Sequence, residues 1–222
     1  MPADIPIWTI PPAVDVPAIT PPLPPRRTGE PLRLLAIGRL RAVKGHEDAL
    51  LAVAALKHRN IEVELRIVGD GDRFEALSLA VAQLGLGDIV ALVGSVSPTE
   101  VAAHLEWAHA VVHPSLAEGF SNAVLEAQAA GRPVIASDAG GLRENVADGI
   151  TGIVVARRSP EALSNAIERL ASDHQLLGNL AAAGPGRVRQ HFGLETHIDR
   201  WIDCYETLGR LRPPKPRRDR RR

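Results

Sequence analysis

From Leu32 onward the sequence alternates short apolar runs with longer stretches of helical composition, and that alternation restricts the fold more than any other feature. The runs are Leu34–Ile37, Val63–Val68, Ile89–Val93, Ala110–His113, Pro133–Ala136 and Gly152–Val155. Each has strand length, and most are apolar nearly throughout, as in strands covered on both faces. Helices are predicted between them near 46–59, 73–84, 98–106, 121–130 and 141–147. Three more follow the last run: one begins at Ser159-Pro160, and the others lie near 174–190 and 194–209. Ser97-Pro98-Thr99-Glu100 offers a capping box with proline at the first helical position. Six strands alternating with helices predict an α/β domain with a doubly wound parallel sheet, because parallel neighbours need crossover connections. Ligands of such sheets lie beyond the carboxyl ends of the strands, at the turns after Ile37, Val68, Val93, His113 and Ala136.

The ends of the chain differ from this body. Residues 1–31 hold ten of the 18 prolines and read as an extended lead-in or linker, since proline removes donors and disfavours helix before it. The domain proper is expected over 32–209. Residues 210–222 carry eight of the 26 basic residues against one acid, leaving a body of about −7 and a tail of about +7. With three prolines, this tail is expected to be disordered. It is either a solvated end or a peripheral contact with anionic lipid headgroups. Aromatic residues make up only 3%, which speaks against a base-stacking nucleic-acid platform. The single cysteine, Cys204, excludes an internal disulfide and a cysteine-rich metal site, which fits a cytoplasmic setting. Neither a transmembrane run nor the basic-then-apolar start of a signal peptide is present.

Two segments carry candidate chemistry. Gly38-Arg39 follows the first strand, with Lys44 in the same turn. Gly38 lets a ligand approach the backbone, and Arg39 and Lys44 supply a planar fork and a point charge, as a diphosphate requires. The same pair read in isolation is two solvated cations, because neither the P-loop nor the dinucleotide-fold string is present. The fourth strand leads into Glu118-Gly119-Phe120-Ser121-Asn122, a carboxylate and a helix N-terminus in succession. Amides there can receive phosphate oxygens or a sugar hydroxyl. Glu126 lies about one turn, roughly 5.4 Å, into the helix, where a carboxylate suits a ribose diol. Glu126 sits among Val124, Leu125, Ala127 and Ala129, so its charge needs partners: a ligand, or protein groups.

The ordered set of motifs resembles glycosyltransferase family 4, the group 1 glycosyl transferases, over about Ile10 to Leu208. It comprises Gly38-Arg39 with Lys44, then Val68-Gly69-Asp70-Gly71, then Pro114-Ser115 with Glu118-Gly119-Phe120 and Glu126. Gly131, Pro133 to Asp138, Gly140-Gly141 and Asp148-Gly149 with Thr151-Gly152 follow. The resemblance implies a single Rossmann-like domain, the C-terminal donor-binding half of a retaining GT-B enzyme that transfers a hexose from a UDP- or GDP-sugar. It implies catalytic roles for Arg39, Lys44 and Glu118, and donor-binding roles for Gly38, Val96, Gly119, Phe120, Ser121, Asn122 and Glu126. No metal and no cofactor are expected; the nucleoside diphosphate sugar is the substrate, and no nucleic acid is expected as partner.

Ile10–Asp15 resembles the end of the family's interdomain crossover, so the acceptor domain is expected to be absent from this chain or supplied by a partner subunit. The alternative is a non-catalytic nucleotide-sugar-binding module or a subunit of a split transferase. Asp70-Gly71-Asp72 has the form of a metal-binding string but is expected to be a strand-to-helix turn. His113 is expected to be a buried, hydrogen-bonded residue, and Trp107, Trp201 and Tyr205 to be packing residues.

Overall fold

The computed structural model of the protein describes residues 7–18, 20–27 and 29–211. Strands β1 (Leu32–Ile37), β2 (Val63–Val68), β3 (Val90–Gly94), β4 (Ala110–His113), β5 (Val134–Ser137) and β6 (Gly152–Val155) form one parallel sheet in the order β3-β2-β1-β4-β5-β6. Helices α1 (His46–His58), α2 (Phe74–Gln83), α6 (Pro160–Ser172) and α7 (His174–Phe192) cover one face, burying Leu50, Leu56, Leu77 and Ile167 against Leu32, Leu34 and Ile67. On the other face α3 (Pro98–Trp107), α4 (Asn122–Ala129) and α5 (Leu142–Asn145) bury Leu105, Val124, Ala127 and Leu142 against Leu35 and Val134. Each fully buried Leu contributes about 1.5–3 kcal/mol, which fixes the register of helices on sheet. The capping box at α3 forms as expected, with Ser97 and Glu100 bonding reciprocally.

Two expectations at the margins change. β1 begins at Leu32 rather than Leu34, because Arg33 interrupts the apolar run without leaving the strand: its guanidinium lies 5.7 Å from the Trp107 ring. The proline-rich lead-in is extended but docked. Prolines lack donors yet keep their carbonyls, and those carbonyls meet side-chain donors of the domain. Buried Arg132 donates to Pro21 O (3.3 Å) and Pro22 O (3.1 Å), and Arg189 to Pro17 O (3.2 Å). His197 Nδ1 donates to Pro11 O (2.8 Å), while its Nε2 accepts from Trp201 (3.0 Å), so one neutral tautomer satisfies both.

The last helix, α8 (Leu194–Leu211), carries the clearest correction to the packing expectations. Trp201 and Tyr205 stack on each other, with ring centroids 5.7 Å apart, but on an exposed face shared with Leu194, Ile198, Ile202 and Leu208. Cys204 is buried. Arg210 and Leu211 belong to α8, and the rest of the basic tail, from Arg212, falls outside the described residues. Among the described residues no helix is long and apolar enough to cross a membrane.

Candidate donor-binding site

The chain works outward from β1 to β2 and β3, then returns to place β4, β5 and β6 on the other side of β1. The strand order therefore reverses between β1 and β4, where an open α/β sheet leaves a crevice for ligand. The two turns that border it are the two singled out by sequence, and they clasp each other. Leu116 N donates to Val43 O at 2.8 Å. Gly45 is left-handed (φ 67°), and a Cβ there would fall on the carbonyl oxygen of Pro114. From the far side the β5–α5 turn closes in, Gly141 N donating to Glu118 O at 2.9 Å. Gly140, also left-handed (φ 46°), has no room for a Cβ against that same Glu118 carbonyl.

This clasp brings Lys44 and Glu118 together. Lys44 Nζ lies 2.6 Å from Glu118 Oε2, and both side chains are largely buried. His113 Nε2 and Ser115 Oγ each reach the same oxygen at 3.2 Å. Burial pushes the Glu118 carboxyl upward, but hydrogen bonds from His113 and Lys44, with the lysine charge, hold it down to about 2. It is thus a fixed anion at neutral pH. Among the described residues no hydrogen bond reaches its Oε1, which is left to accept from a ligand.

The remaining predicted residues surround this cluster. Gly38 follows β1 directly, and Arg39 is exposed, its side chain making no hydrogen bond or ion pair among the described residues. Helix α4 starts without a side-chain cap, and the amides of Gly119, Phe120 and Asn122 have no protein acceptor among the described residues. Ser121 departs from the expected set of free amides. Its N–H donates to Asn145 Oδ1 at 3.0 Å, while Asn145 Nδ2 donates back to Ser121 O at 3.3 Å. The Phe120 ring turns inward onto Phe192 (5.6 Å), so its backbone alone faces the crevice. Val96, after β3, packs on the Leu35–Val111 side of the core. Glu126 is exposed on α4, without a protein partner among the described residues. The helix that looked apolar through its sequence turns Glu126, like Asn122 one turn earlier, to solvent, so neither desolvation nor a protein partner accounts for it.

Four residues of the site escaped the sequence reading in whole or part. His113 is buried and hydrogen-bonded as expected, but its partner, Glu118, was not foreseen. Ser115, two residues on, carried no separate signal. Asn145 reaches Ser121 from 24 positions away, a relation no local pattern reveals. His46, the first residue of α1, is 3% exposed and neither ring nitrogen has a partner. Asp70 and Asp72 are exposed, with Asp70 Oδ1 accepting from Gly71 N at 2.7 Å, a turn as expected. Among the described residues no group of three His, Cys, Asp or Glu side chains is placed to hold a metal ion.

The family model for glycosyl transferases group 1 matches residues 24–187. The chain belongs to this family. It is 36% identical over 164 residues to a D-inositol 3-phosphate glycosyltransferase of Frankia alni, covering 70% of this chain and 40% of that protein. It is 34% identical over 192 residues to the glycogen synthase of Mycobacterium tuberculosis, covering 86% and 46%. Among solved structures, sucrose-phosphate synthase of Thermosynechococcus elongatus superposes with a TM-score of 0.78 at 30% identity, over 91% of this chain and 53% of that one. HepE of Anabaena, solved with UDP, superposes with a TM-score of 0.71 at 25% identity, over 82% and 50%. This group 1 chain thus spans about half the length of the relatives it matches.

Proposed function

We propose that this chain is the donor-binding half of a retaining glycosyltransferase that holds a nucleoside diphosphate sugar at the β1/β4 crevice. The observation that carries the reading is Glu118, ionised through Lys44 and His113 with one oxygen uncommitted, beside the uncapped start of α4. The diphosphate lies between Arg39, Lys44 and the amides of Gly119, Phe120 and Asn122. Glu118 Oε1 accepts from sugar hydroxyls, Glu126 from the ribose diol, and Val96 borders the base. UDP is the favoured nucleotide, because HepE, alike over most of this chain, was solved with UDP.

In transfer, the bond from the anomeric carbon to the diphosphate oxygen breaks and its electron pair leaves with the diphosphate. Arg39 and Lys44 stabilise that charge without a metal. An acceptor hydroxyl of a glycan or lipid bonds to the same face of the carbon and gives its proton to a phosphate oxygen. Glu118 is not assigned as the nucleophile: its partners are Lys44, His113 and Ser115, and no second carboxylate is among them to serve as the paired acid. The acceptor wall comes from a further domain or subunit. The half-length match supports this, and so does the exposed apolar face of α8, beside the Pro11–His197 contact where the lead-in enters. Should no acceptor half join it, the chain is a nucleotide-sugar-binding module.

Calorimetric titration with UDP- and GDP-sugars tests the proposal. Saturable binding of at least one is expected; no heat from any of them, with a folded sample, contradicts it.

A further inference from the structure

His46 follows Gly45 at the start of α1, at the seam where the β1–α1 turn meets the β4–α4 turn. Its ring is 3% exposed, and neither Nδ1 nor Nε2 has a hydrogen-bond partner. A neutral imidazole carries one donor and one acceptor, and a buried pair left unmade is costly, so such groups call for an explanation. The groups around it belong to the donor site. Burial first, then the charge of His113, hold its pKa down to about 4; the Arg39 backbone and Glu47 oppose them, and Lys44 adds a smaller downward push. His46 follows Gly45, which packs against the carbonyl of Pro114, the residue next to the histidine that holds Glu118. Asp48, two residues along α1, keeps a buried Oδ2 without a partner as well.

Lys44 is committed to Glu118. A diphosphate competes with Glu118 for Lys44, and the 38–45 turn that bears this lysine is bounded by two glycines, Gly38 and Gly45. We infer that His46 is a positioning residue for this shift: its unmet ring nitrogens gain partners when the turn moves to grip the donor, so binding relieves a cost the free protein carries. The inference rests on the donor-site reading and deepens it. Its chemical content is that the turn bearing Arg39 and Lys44 is set for the donor-bound state by an unsatisfied group behind it.

The test compares wild type, His46→Phe and His46→Gln by thermal melting and by titration with UDP. Phenylalanine removes the unmet polar atoms, so at neutral pH His46→Phe is expected to melt at or above the wild-type temperature. The same variant is expected to bind UDP about fivefold or more weakly, the effect of about one lost hydrogen bond. His46→Gln keeps a donor and an acceptor and is expected to recover most of the affinity. A structural role alone moves stability and affinity together, whereas here they move in opposite directions. Unchanged UDP affinity in His46→Phe overturns the inference. Should the phenylalanine variant fail to fold, His46→Gln is compared with His46→Leu, and equal UDP affinity in those two overturns it equally. Failure of wild type to bind UDP or GDP strikes the donor-site reading itself, a separate outcome.

Discussion

Lys44 Nζ and Glu118 Oε2 stand 2.6 Å apart, though they come from turns 74 residues apart in the chain. Each is proposed to bind a different part of the donor, so in this pairing each occupies the other's binding group. Glu118→Gln weakens this hold on Lys44 and is expected to leave UDP affinity equal to wild type or raise it. It is expected to remove any gain in affinity from UDP to UDP-sugar. Titration of both ligands against both proteins checks this.

Acid stability separates the buried groups. His46 and His109 have folded pKa values near 4, below 6.5, chiefly through burial. The unfolded chain then takes up their protons first, and stability falls as pH drops from 6.5 towards 4. Glu118 is lowered from 4.5 to about 2, so its contribution is complete above 4.5 and is lost as pH falls towards 2. Melting temperature against pH should show both declines, with His46→Phe flattening the upper one and Glu118→Gln the lower.

Glu126 has no protein partner among the described residues, so Glu126→Ala is expected to leave the melting temperature unchanged. Wild type should bind UDP more tightly than 2′-deoxy-UDP, and Glu126→Ala should bind both alike. An alanine variant that keeps the preference removes Glu126 from the ribose.

Asn145 holds both the N–H and the carbonyl of Ser121 from a fully buried position. Asn145→Ala leaves those groups unpaired and is expected to cost about 1–3 kcal/mol in chemical denaturation. It should also weaken UDP binding, because the start of α4 loses its anchor.

The sheet, its helices and the ligand edge were legible because they follow from local signals: apolar runs, Ser97 as cap, Gly131 and Pro133 as stops. Arg39, Lys44 and Glu118 were legible because each follows a strand end, and the family resemblance gave them roles. Their mutual arrangement was not. The pairing of Lys44 with Glu118, the capture of Ser121 by Asn145 and the clamp of Arg132 on Pro21 and Pro22 all join distant segments. Trp201 and Tyr205 were misjudged for a related reason. Their spacing shows that they share a face of α8, whereas what covers that face depends on the rest of the molecule.

The central claim is that the β1/β4 crevice grips a nucleoside diphosphate through Arg39 and the residues around it. Arg39 is exposed and unpaired among the described residues, so Arg39→Ala is expected to preserve the fold and the melting temperature. The measurement that bears most directly on the claim is UDP affinity, by calorimetry, in wild type and Arg39→Ala. Loss of a charge-assisted hydrogen bond predicts saturable binding in wild type and affinity about tenfold or more weaker in the variant. Equal affinity in two folded proteins, or no binding of UDP or GDP by wild type, would contradict it.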